Sequence, residues 1–299
     1  MASTSHHPVM LPNKHLDHLD SDYLFHLDIP LNDSEIVSKF HNVKFVCIGG
    51  TANRMEKLAL HLGQEINFQP TGNSRFDYSF TNERYSGFKV GPVFCVSHGI
   101  GTPSLSVMLH ELFKLLQKAS CCDVTLIRIG TCGGIGISPG TVVISTGALT
   151  SGFEPFYTTS SLGKTLKLPT SVDMNLVNSL QGCRRDEDGF QVVLGKTYCT
   201  EDFYQGQGRL DGSFCDYSKA DQDAFLRKLY DLEVRNIEME SAAVLAMAHK
   251  VGIRAAVVCS VIVDRLQAEL PTESRDNLQA FQNNAIVLVG RHIRQRLNL

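Results

Sequence analysis

Two segments of the chain place an arginine beside clustered glycines. The first, GGTANR at 49–54, follows an apolar run and brings Arg54 to the start of a helical stretch. The second, RIGTCGGIG at 128–136, has Arg128 near the end of another apolar run. Backbone N–H groups and a guanidinium together form a cradle for phosphate. Each segment also has a simpler interpretation: a tight turn with a surface arginine for the first, and a core arginine paired with a structural carboxylate for the second.

The spacing of the second glycine group bears on which anion could bind. Its glycines follow the order G-x-x-G-x-x-G, with no matching acidic residue for a dinucleotide ribose, and the P-loop order G-x-x-x-x-G-K-[ST] is not found. Arginine without a P-loop lysine or magnesium ligands is typical of a site for inorganic phosphate or a phosphorylated sugar. The hydroxyl of Thr131 adds a further donor there.

A pair of carboxylates, Glu238 and Glu240, flanks Met239 at the end of a short predicted strand. Alternation along a strand sends both side chains to one face. A carboxylate accepts two hydroxyl hydrogen bonds, which is what the vicinal diol of a ribose requires. The pair could equally be solvated, or paired with Arg235 or Arg209.

The segment FYQGQGR at 203–209 interleaves aromatic residues, glycines and two polar side chains with several hydrogen-bonding atoms. Phe203 can stack on a planar base. The amide of Gln207 and the guanidinium of Arg209 together present the donors and acceptors that read a uracil edge. On its own this segment could be any surface loop, and it gains meaning only beside the two arginine segments.

These residues must be positioned by regular structure, and the hydrophobic pattern repeats strand, glycine turn and helix. The pattern predicts strands at 43–48, 93–97, 124–129, 141–144, 191–194, 196–200, 236–239 and 255–263, and helices at 54–62, from 103, and at 221–230, 241–249 and 278–297. Apolar strands alternating with helices indicate an α/β fold, a single-domain three-layer α/β/α sandwich with a mixed central sheet. In open α/β sheets, ligands bind beyond the carboxyl ends of the strands.

Composition narrows the class of protein and its surroundings. The 299 residues carry a net charge of −3, and no run of Lys and Arg exceeds two residues, so neither nucleic acid nor a membrane surface is an expected partner. No apolar run reaches the roughly 18–20 residues of a membrane span. The nine cysteines are odd in number, and Cys47, Cys95 and Cys259 lie in strand-like runs, which favours reduced thiols and a cytoplasmic location.

The chain is predicted to divide into a flexible N-terminal arm, residues 1–20, and a catalytic domain, residues 21–299. The arm contains four histidines, but an exposed tail explains them better than a metal site. No HExxH or CxxC motif is present. The sequence therefore predicts no metal site and no cofactor.

Several motifs in order resemble the uridine phosphorylase branch of the nucleoside phosphorylase superfamily, in its animal form, from about 26 to 265. They are FHL at 25–27, GGTANR at 49–54, SHGIGTPS at 97–104, IRIGTCGGIG at 127–136, DFYQGQGRLDG at 202–212, IEMES at 237–241 and VIVDR at 261–265. The resemblance implies reversible phosphorolysis of uridine to uracil and ribose 1-phosphate in pyrimidine salvage. It also implies electrostatic catalysis through an oxocarbenium-like transition state.

The resemblance further implies a role for each matching residue, in a homodimer whose subunits share their sites. Arg84 and His26 would serve the phosphate and the ribose of the neighbouring subunit. The phosphate residues would be Gly50, Arg54, Arg84, Arg128 and Thr131. The ribose residues would be His26, Met239 and Glu240. The uracil residues would be Phe203, Gln207, Arg209 and Arg265, and the catalytic residues Gln207, Arg209 and Arg128.

Two positions depart from the family pattern. Cys132 stands where Ser or Thr is usual, and its thiol is a weaker donor. Asp264 stands where Asn is usual, and purine-cleaving relatives use an Asp near that position. The alternatives are therefore a purine nucleoside phosphorylase, a catalytically impaired paralogue with a binding role, and a nucleosidase that uses water in place of phosphate.

Overall fold

The computed structural model describes residues 7–18, 22–70 and 74–299. These residues form two compact units. The first comprises the described residues among 1–127, together with 247–254 and 297–299, and the second comprises 128–246 and 255–296. Three elements, at residues 125–134, 241–250 and 254–264, have residues in both.

The first unit is a sheet with helices. Its elements are β1 (Tyr23–Leu24), β2 (Ile29–Pro30), α1 (Ser34–Ser38), β3 (Phe45–Gly49), α2 (Ala52–Glu65), β4 (Tyr78–Thr81), β5 (Ser86–Val90), β6 (Val93–Ser97) and α3 (Thr102–Lys118). β3 pairs in parallel with β6, while β5 pairs antiparallel with both β6 and β4. Every residue of β3, β5 and β6 is buried, and α2 packs on these strands.

The second unit contains both parallel and antiparallel strand pairs. Its elements are β7 (Thr125–Gly134), β8 (Val142–Leu149), β9 (Phe156–Ser161), β10 (Lys164–Pro169), α4 (Met174–Gln181), β11 (Val192–Cys199), α5 (Lys219–Asp231), β12 (Val234–Glu238), α6 (Ser241–Lys250), β13 (Arg254–Asp264) and α7 (Arg275–Arg296). β11 pairs in parallel with β8 and β12, whereas β13 pairs antiparallel with β8 and β12 with β7. β9 and β10 form a separate hairpin.

Mixed sheets with helices confirm the α/β class predicted from the sequence, but the glycine group at 130–136 was wrongly expected to end its strand. β7 continues to Gly134, and Gly133 and Gly134 pair with β12. The glycines provide room for arginine side chains. A Cβ on Gly130 would lie 2.4 Å from Nη1 of Arg128, and a Cβ on Gly133 would lie 2.7 Å from Cγ of Arg265.

Other differences from the predicted elements are smaller. The two strands expected at 191–194 and 196–200 are one strand, β11, with a register shift near Gly195. β9, β10 and α4 were not predicted. The flexibility of residues 1–20 stays a prediction. In the described part of that stretch, Val9 is buried and its N–H donates to the carbonyl of Cys121 at 3.0 Å, so one segment of the arm is attached.

Candidate active site

Arg128, on β7, is buried among carboxylates. Its Nη2 lies 2.9 Å from Oε2 of Glu238 and also bonds to Oε2 of Glu240, while Nη1 donates to Sγ of Cys259 at 3.1 Å. β12 runs antiparallel beside β7 and ends at Glu238, which places the carboxylates beside the arginine. Burial alone would lower the pKa of Arg128, but Glu238 and Glu240 outweigh it and raise that pKa well above its ordinary value. Arg128 is therefore a fixed positive charge.

The two carboxylates have different surroundings. Glu238 also accepts hydrogen bonds from the N–H groups of Glu240 and Ser241, at 3.0 and 2.9 Å, and so holds the start of α6. The prediction that both carboxylates share one face is confirmed, since both contact one guanidinium. Their partner is Arg128 and not Arg235 or Arg209. The simpler interpretation of Arg128, a carboxylate-paired core arginine, describes this pairing, and its role in phosphate binding stays a prediction.

The segment 203–209 is not an ordinary surface loop, because Gln207 is 5% exposed and Arg209 is 4% exposed. Asp202 starts the segment by accepting hydrogen bonds at Oδ1 from the N–H groups of Tyr204 and Gly206, at 3.0 and 2.9 Å. A short 3-10 turn, Gln205–Gln207, follows and turns Gln207 inward.

Arg209 is held from several sides. Its guanidinium carbon lies 4.7 Å from the centre of the Phe203 ring, which remains partly exposed. Nε donates to Oδ1 of Asp211 at 2.8 Å, Nη2 bonds to Oδ2 of the same residue, and Nη1 donates to the carbonyl of Glu269 at 3.2 Å. The hydrogen bond from Arg209 holds the pKa of Asp211 below its ordinary value. Sequence reasoning missed Asp211, although an acidic residue two positions after a candidate site arginine is a usable signal.

Arg265 lies close to the same segment. Its N–H donates to the carbonyl of Gly134 at 2.8 Å, and its Nη2 donates to the carbonyl of Gln207 at 3.2 Å. Its side chain is buried, which lowers its pKa, and its Nε and Nη1 have no hydrogen-bond partner within the described ranges. Because an unpaired buried donor is costly, this edge of the guanidinium is suited to a polar ligand.

The remaining predicted residues of the second unit belong to the same strands. Thr131 lies on β7 and is half-buried, and Met239 lies between β12 and α6. The structure thus brings Arg128 together with Glu240, and Gln207 together with Arg265. Within the described chain, no three His, Cys, Asp or Glu side chains are placed to hold a metal ion.

The first unit holds the other four predicted residues. Gly50 precedes α2 and Arg54 lies in its first turn, where the Arg54 N–H donates to Oγ1 of Thr51 at 3.4 Å. Asn82 connects the remaining two. Its Nδ2 donates to the carbonyl of His26 at 2.8 Å, and its Oδ1 accepts from the N–H of Arg84 at 3.0 Å.

The side chains of His26 and Arg84 are presented differently from those of the second unit. Nδ1 of His26 lies 2.7 Å from Oε1 of Glu111, which orients the ring, and Arg84 is exposed. Asn82 and Glu111 were missed because nothing in their local sequence marks them. Both contact His26, which lies far from them along the chain.

Comparison with known proteins decides the family. Residues 44–295 match the phosphorylase superfamily. The chain belongs to this superfamily. It is 43% identical to uridine phosphorylase 2 of Mus musculus, over 97% of this chain and 91% of that protein. It is 36% identical to inactive uridine phosphorylase B of Schistosoma mansoni, over 95% of each.

A solved structure is equally similar. A chain from a study of two uridine phosphorylases of the oomycete Phytophthora capsici has a TM-score of 0.93 and 36% identity, covering 98% of this chain and 99% of its own. The predicted nucleoside phosphorylase-like fold is confirmed. So is the resemblance to uridine phosphorylases, which extends beyond the motifs at 26–265.

Asp264, one departure from the usual uridine phosphorylase pattern, has a structural role. Its Oδ1 accepts hydrogen bonds from the N–H groups of Gly136 and Leu266, at 3.0 and 3.1 Å. The amide oxygen of an asparagine could accept the same two bonds. The aspartate thus preserves the turn that follows β13 and does not by itself indicate purine cleavage.

Cys132, the other departure, belongs to a hydrogen-bond chain that reaches Arg128. It is buried on β7 and contacts Cys259, which accepts a hydrogen bond from Arg128. Burial raises the pKa of Cys132. The hydrogen bond from Cys132 lowers the pKa of Cys259, and Arg128 adds to this effect. Cys132 thus supports Arg128 from the interior through Cys259.

Proposed function

We propose that this protein cleaves uridine by phosphorolysis, giving uracil and ribose 1-phosphate in pyrimidine salvage. The observation that carries the proposal is the burial of Gln207 and Arg209 beside Arg265, in a chain whose relatives are uridine phosphorylases. An amide and a guanidinium held rigidly in a buried site match a uracil edge. The buried Arg265 edge adds donors to the same region.

In the proposed reaction, a phosphate oxygen forms a bond to C1′ while the bond from C1′ to N1 of uracil breaks. The electron pair of the broken bond goes to uracil, which then takes up a proton. Gln207 and Arg209 stabilise the negative charge that develops on O2 and O4. Arg128 is the charged group on the phosphate and ribose side. Glu240 and Met239 contact the ribose, and Arg265 and Phe203 complete the uracil pocket.

Phosphate is the co-substrate in this proposal, and no other cofactor is required. Arg128 and Thr131 contribute to its binding, and Gly50, Arg54 and Arg84 keep the phosphate role that the resemblance implies. Charged hydrogen bonds from arginine suit a dianion. Because the guanidinium of Arg128 is shared with Glu238 and Glu240, phosphate must compete with these carboxylates.

We also propose a cytoplasmic homodimer in which His26 and Arg84 serve the neighbouring subunit. The exposure of Arg84 supports this, as do two large apolar side chains of the first unit, Phe25 and Ile100, each 76% exposed. All nine cysteines are free thiols, seven of them buried, in keeping with a reducing compartment. No helix of the described ranges is long and apolar enough to cross a membrane.

The experiment that tests the function follows uracil release from uridine with and without phosphate. Release that depends on phosphate supports the proposal. Release without phosphate would indicate a nucleosidase. No release would indicate a binding paralogue, an outcome of interest because one relative is described as inactive. Inosine, run in parallel, tests purine cleavage, and we expect no reaction.

A further inference from the structure

Three consecutive carbonyl groups, those of residues 207–209, each accept a hydrogen bond from a different side chain. Nη2 of Arg265 donates to the first at 3.2 Å. Nε2 of Gln222 donates to the second at 2.6 Å, and the hydroxyl of Tyr217 to the third at 2.6 Å. Tyr217 and Gln222 lie just before and within the first turns of α5, whereas Arg265 follows β13. A turn held at three successive carbonyls has little freedom, so these donors fix where its side chains point.

Gln222 differs from the other two donors because it uses both N–H groups of its amide. Besides the carbonyl of Gly208, Nε2 bonds to Oε1 of Glu269. Glu269 also contacts Arg265 and Arg209, two of the residues that we propose bind uracil. Its Oε2 lies 3.4 Å from Nη2 of Arg265, and its backbone carbonyl accepts from Nη1 of Arg209 at 3.2 Å. Gln222 therefore connects α5 directly to the turn at Gly208 and, through Glu269, to Arg209 and Arg265.

The position of Gln222 in α5 makes a purely structural role unfavourable. The other buried residues of this helix include Leu226 and Leu229, and Gln222 is itself only 3% exposed. Burying an amide costs free energy that hydrogen bonds only offset, whereas a leucine there would contribute to the core directly. A buried amide that contacts the turn at Gly208 and the side chain of Glu269, which in turn contacts Arg265, is better explained by the residues that it positions.

We infer that Gln222 is a positioning residue, which holds the turn at Gly208 and, through Glu269, the guanidinium of Arg209 in the geometry that meets the leaving uracil. The inference rests on the proposed function and adds a residue to it. Gln222 contacts neither substrate nor reacting atoms in this scheme. Its loss therefore weakens an interaction made in the transition state, so it should lower kcat more than it raises KM.

Three substitutions at this position separate the hydrogen bonds from the volume of the side chain. Gln222→Leu removes both N–H donors. Gln222→Glu replaces the amide with a carboxylate, which would face the carbonyl of Gly208 and the carboxylate of Glu269. Gln222→Lys keeps donors for both. We expect kcat for uridine to fall about tenfold in the leucine variant and further in the glutamate variant, since misplacement by 1 Å can cost about 10²-fold. The lysine variant should stay within about threefold of wild type, and the KM for phosphate should not change.

The matched control is Asp223→Leu, which places a leucine at the next, exposed position of α5 and disrupts only a surface pair with Lys219. It should leave kcat unchanged. A second readout does not depend on activity: amide hydrogen exchange of Gly208 and Arg209, whose N–H groups bond to the carbonyls of Gln205 and Tyr204 at 2.9 Å. Exchange there should accelerate about tenfold in the leucine variant and not in the lysine variant.

A folded leucine variant with wild-type kcat and exchange would overturn the inference. If that variant does not fold, the lysine and glutamate variants decide: an active lysine variant beside an impaired glutamate variant supports it, and equal kcat values overturn it. Wild-type protein that shows no phosphate-dependent uracil release overturns the proposed function. In that case unchanged exchange in the leucine variant overturns the positioning role as well, and accelerated exchange supports it.

Discussion

The turn that carries Gln207 and Arg209 in the second unit and the region around His26 and Arg84 in the first are held in place in different ways. Gln207 and Arg209 are buried and their turn is held by side chains from several elements. Arg84 is anchored by its backbone, through Asn82, and its side chain is exposed. A group that stabilises developing charge must be positioned before the substrate arrives. A group that serves a second subunit can be ordered by assembly.

The difference indicates which part of the proposed reaction a single chain can complete. The residues predicted to bind uracil all lie within the second unit, and their partners are internal. In the proposed dimer, His26 and Arg84 would act on a neighbouring copy. The two regions should therefore respond differently to substitution, in size of effect and in whether subunit exchange restores activity.

The largest effect should come from Arg209→Ala. Loss of one donor to a developing charge typically lowers the rate by about 10²–10³-fold, and we expect kcat/KM for uridine to fall by at least that factor. Steady-state kinetics and circular dichroism measure the activity and the fold. Arg227→Ala, an exposed arginine of α5, is the control and should have wild-type kinetics. Undiminished activity in the Arg209 variant would contradict the role assigned to it.

Arg84→Ala should lower kcat/KM for phosphate by about 10²-fold, as expected for loss of a charged hydrogen bond to a dianion, with no change in Tm. Arg75→Ala, an exposed arginine paired with Glu56, is the control. A sharper measurement unfolds the Arg84 and Arg209 variants, mixes them in equal amounts and refolds them together. A mixed dimer has one intact site, so about a quarter of wild-type activity should return. No recovery on mixing would show that Arg84 acts within its own subunit.

Gly133→Ala tests the close packing of β7 against Arg265, a residue that we propose binds uracil. The added methyl would lie 2.7 Å from Cγ of Arg265, so the arginine must move. Overpacking of this kind costs about 1–3 kcal/mol of unfolding free energy, and we expect a rise in the KM for uridine as well. Gly189→Ala, where an added Cβ meets nothing within 4 Å, is the matched control for urea denaturation. Equal stability of the two variants would argue against this packing role.

The smallest effect should come from Asp211→Asn, which weakens the grip on Arg209. A partly exposed ion pair contributes about 0.2–1 kcal/mol, so kcat/KM should fall by less than about tenfold. Because the pKa of Asp211 is depressed in the folded protein, its contribution to stability is present above about pH 4, the ordinary value for Asp, and is lost as the pH falls through the folded pKa. The stability difference between wild type and variant should disappear there; persistence at low pH would point to another cause.

Several central strands could be predicted because nearly all of their residues are buried. β6 was predicted at its observed bounds, and β3, β13 and α6 to within two residues, since continuous apolar runs and amphipathic spacing are local signals. The glycines of β7 misled the prediction. Glycine usually marks a turn, and here it leaves space for Arg128 and Arg265, a requirement set by side chains far away in the sequence.

The site divides in the same way. Gln207 and Arg209 were singled out by residue type and by family resemblance, and Arg265 by the resemblance alone; the structure brings the three together. The roles assigned to these residues remain to be tested. Gln222, Glu269 and Asn82 could not be found, because each matters through hydrogen bonds to residues that only the folded chain places nearby. Local patterns identify groups that could contact a ligand far better than groups that hold them.

Glu238 both binds Arg128 and caps α6. This has a consequence for the evolution of related chains. Removing Arg128 would leave buried carboxylates without their counter-charge, which typically costs about 3–5 kcal/mol. A lineage that abandoned catalysis would therefore still retain this arginine in order to fold. Gln207 is uncharged and does not balance a buried charge in this way. In a related sequence, an arginine at the position of Arg128 therefore indicates only that the fold is kept. A glutamine at the position of Gln207 is the better indicator of the proposed activity.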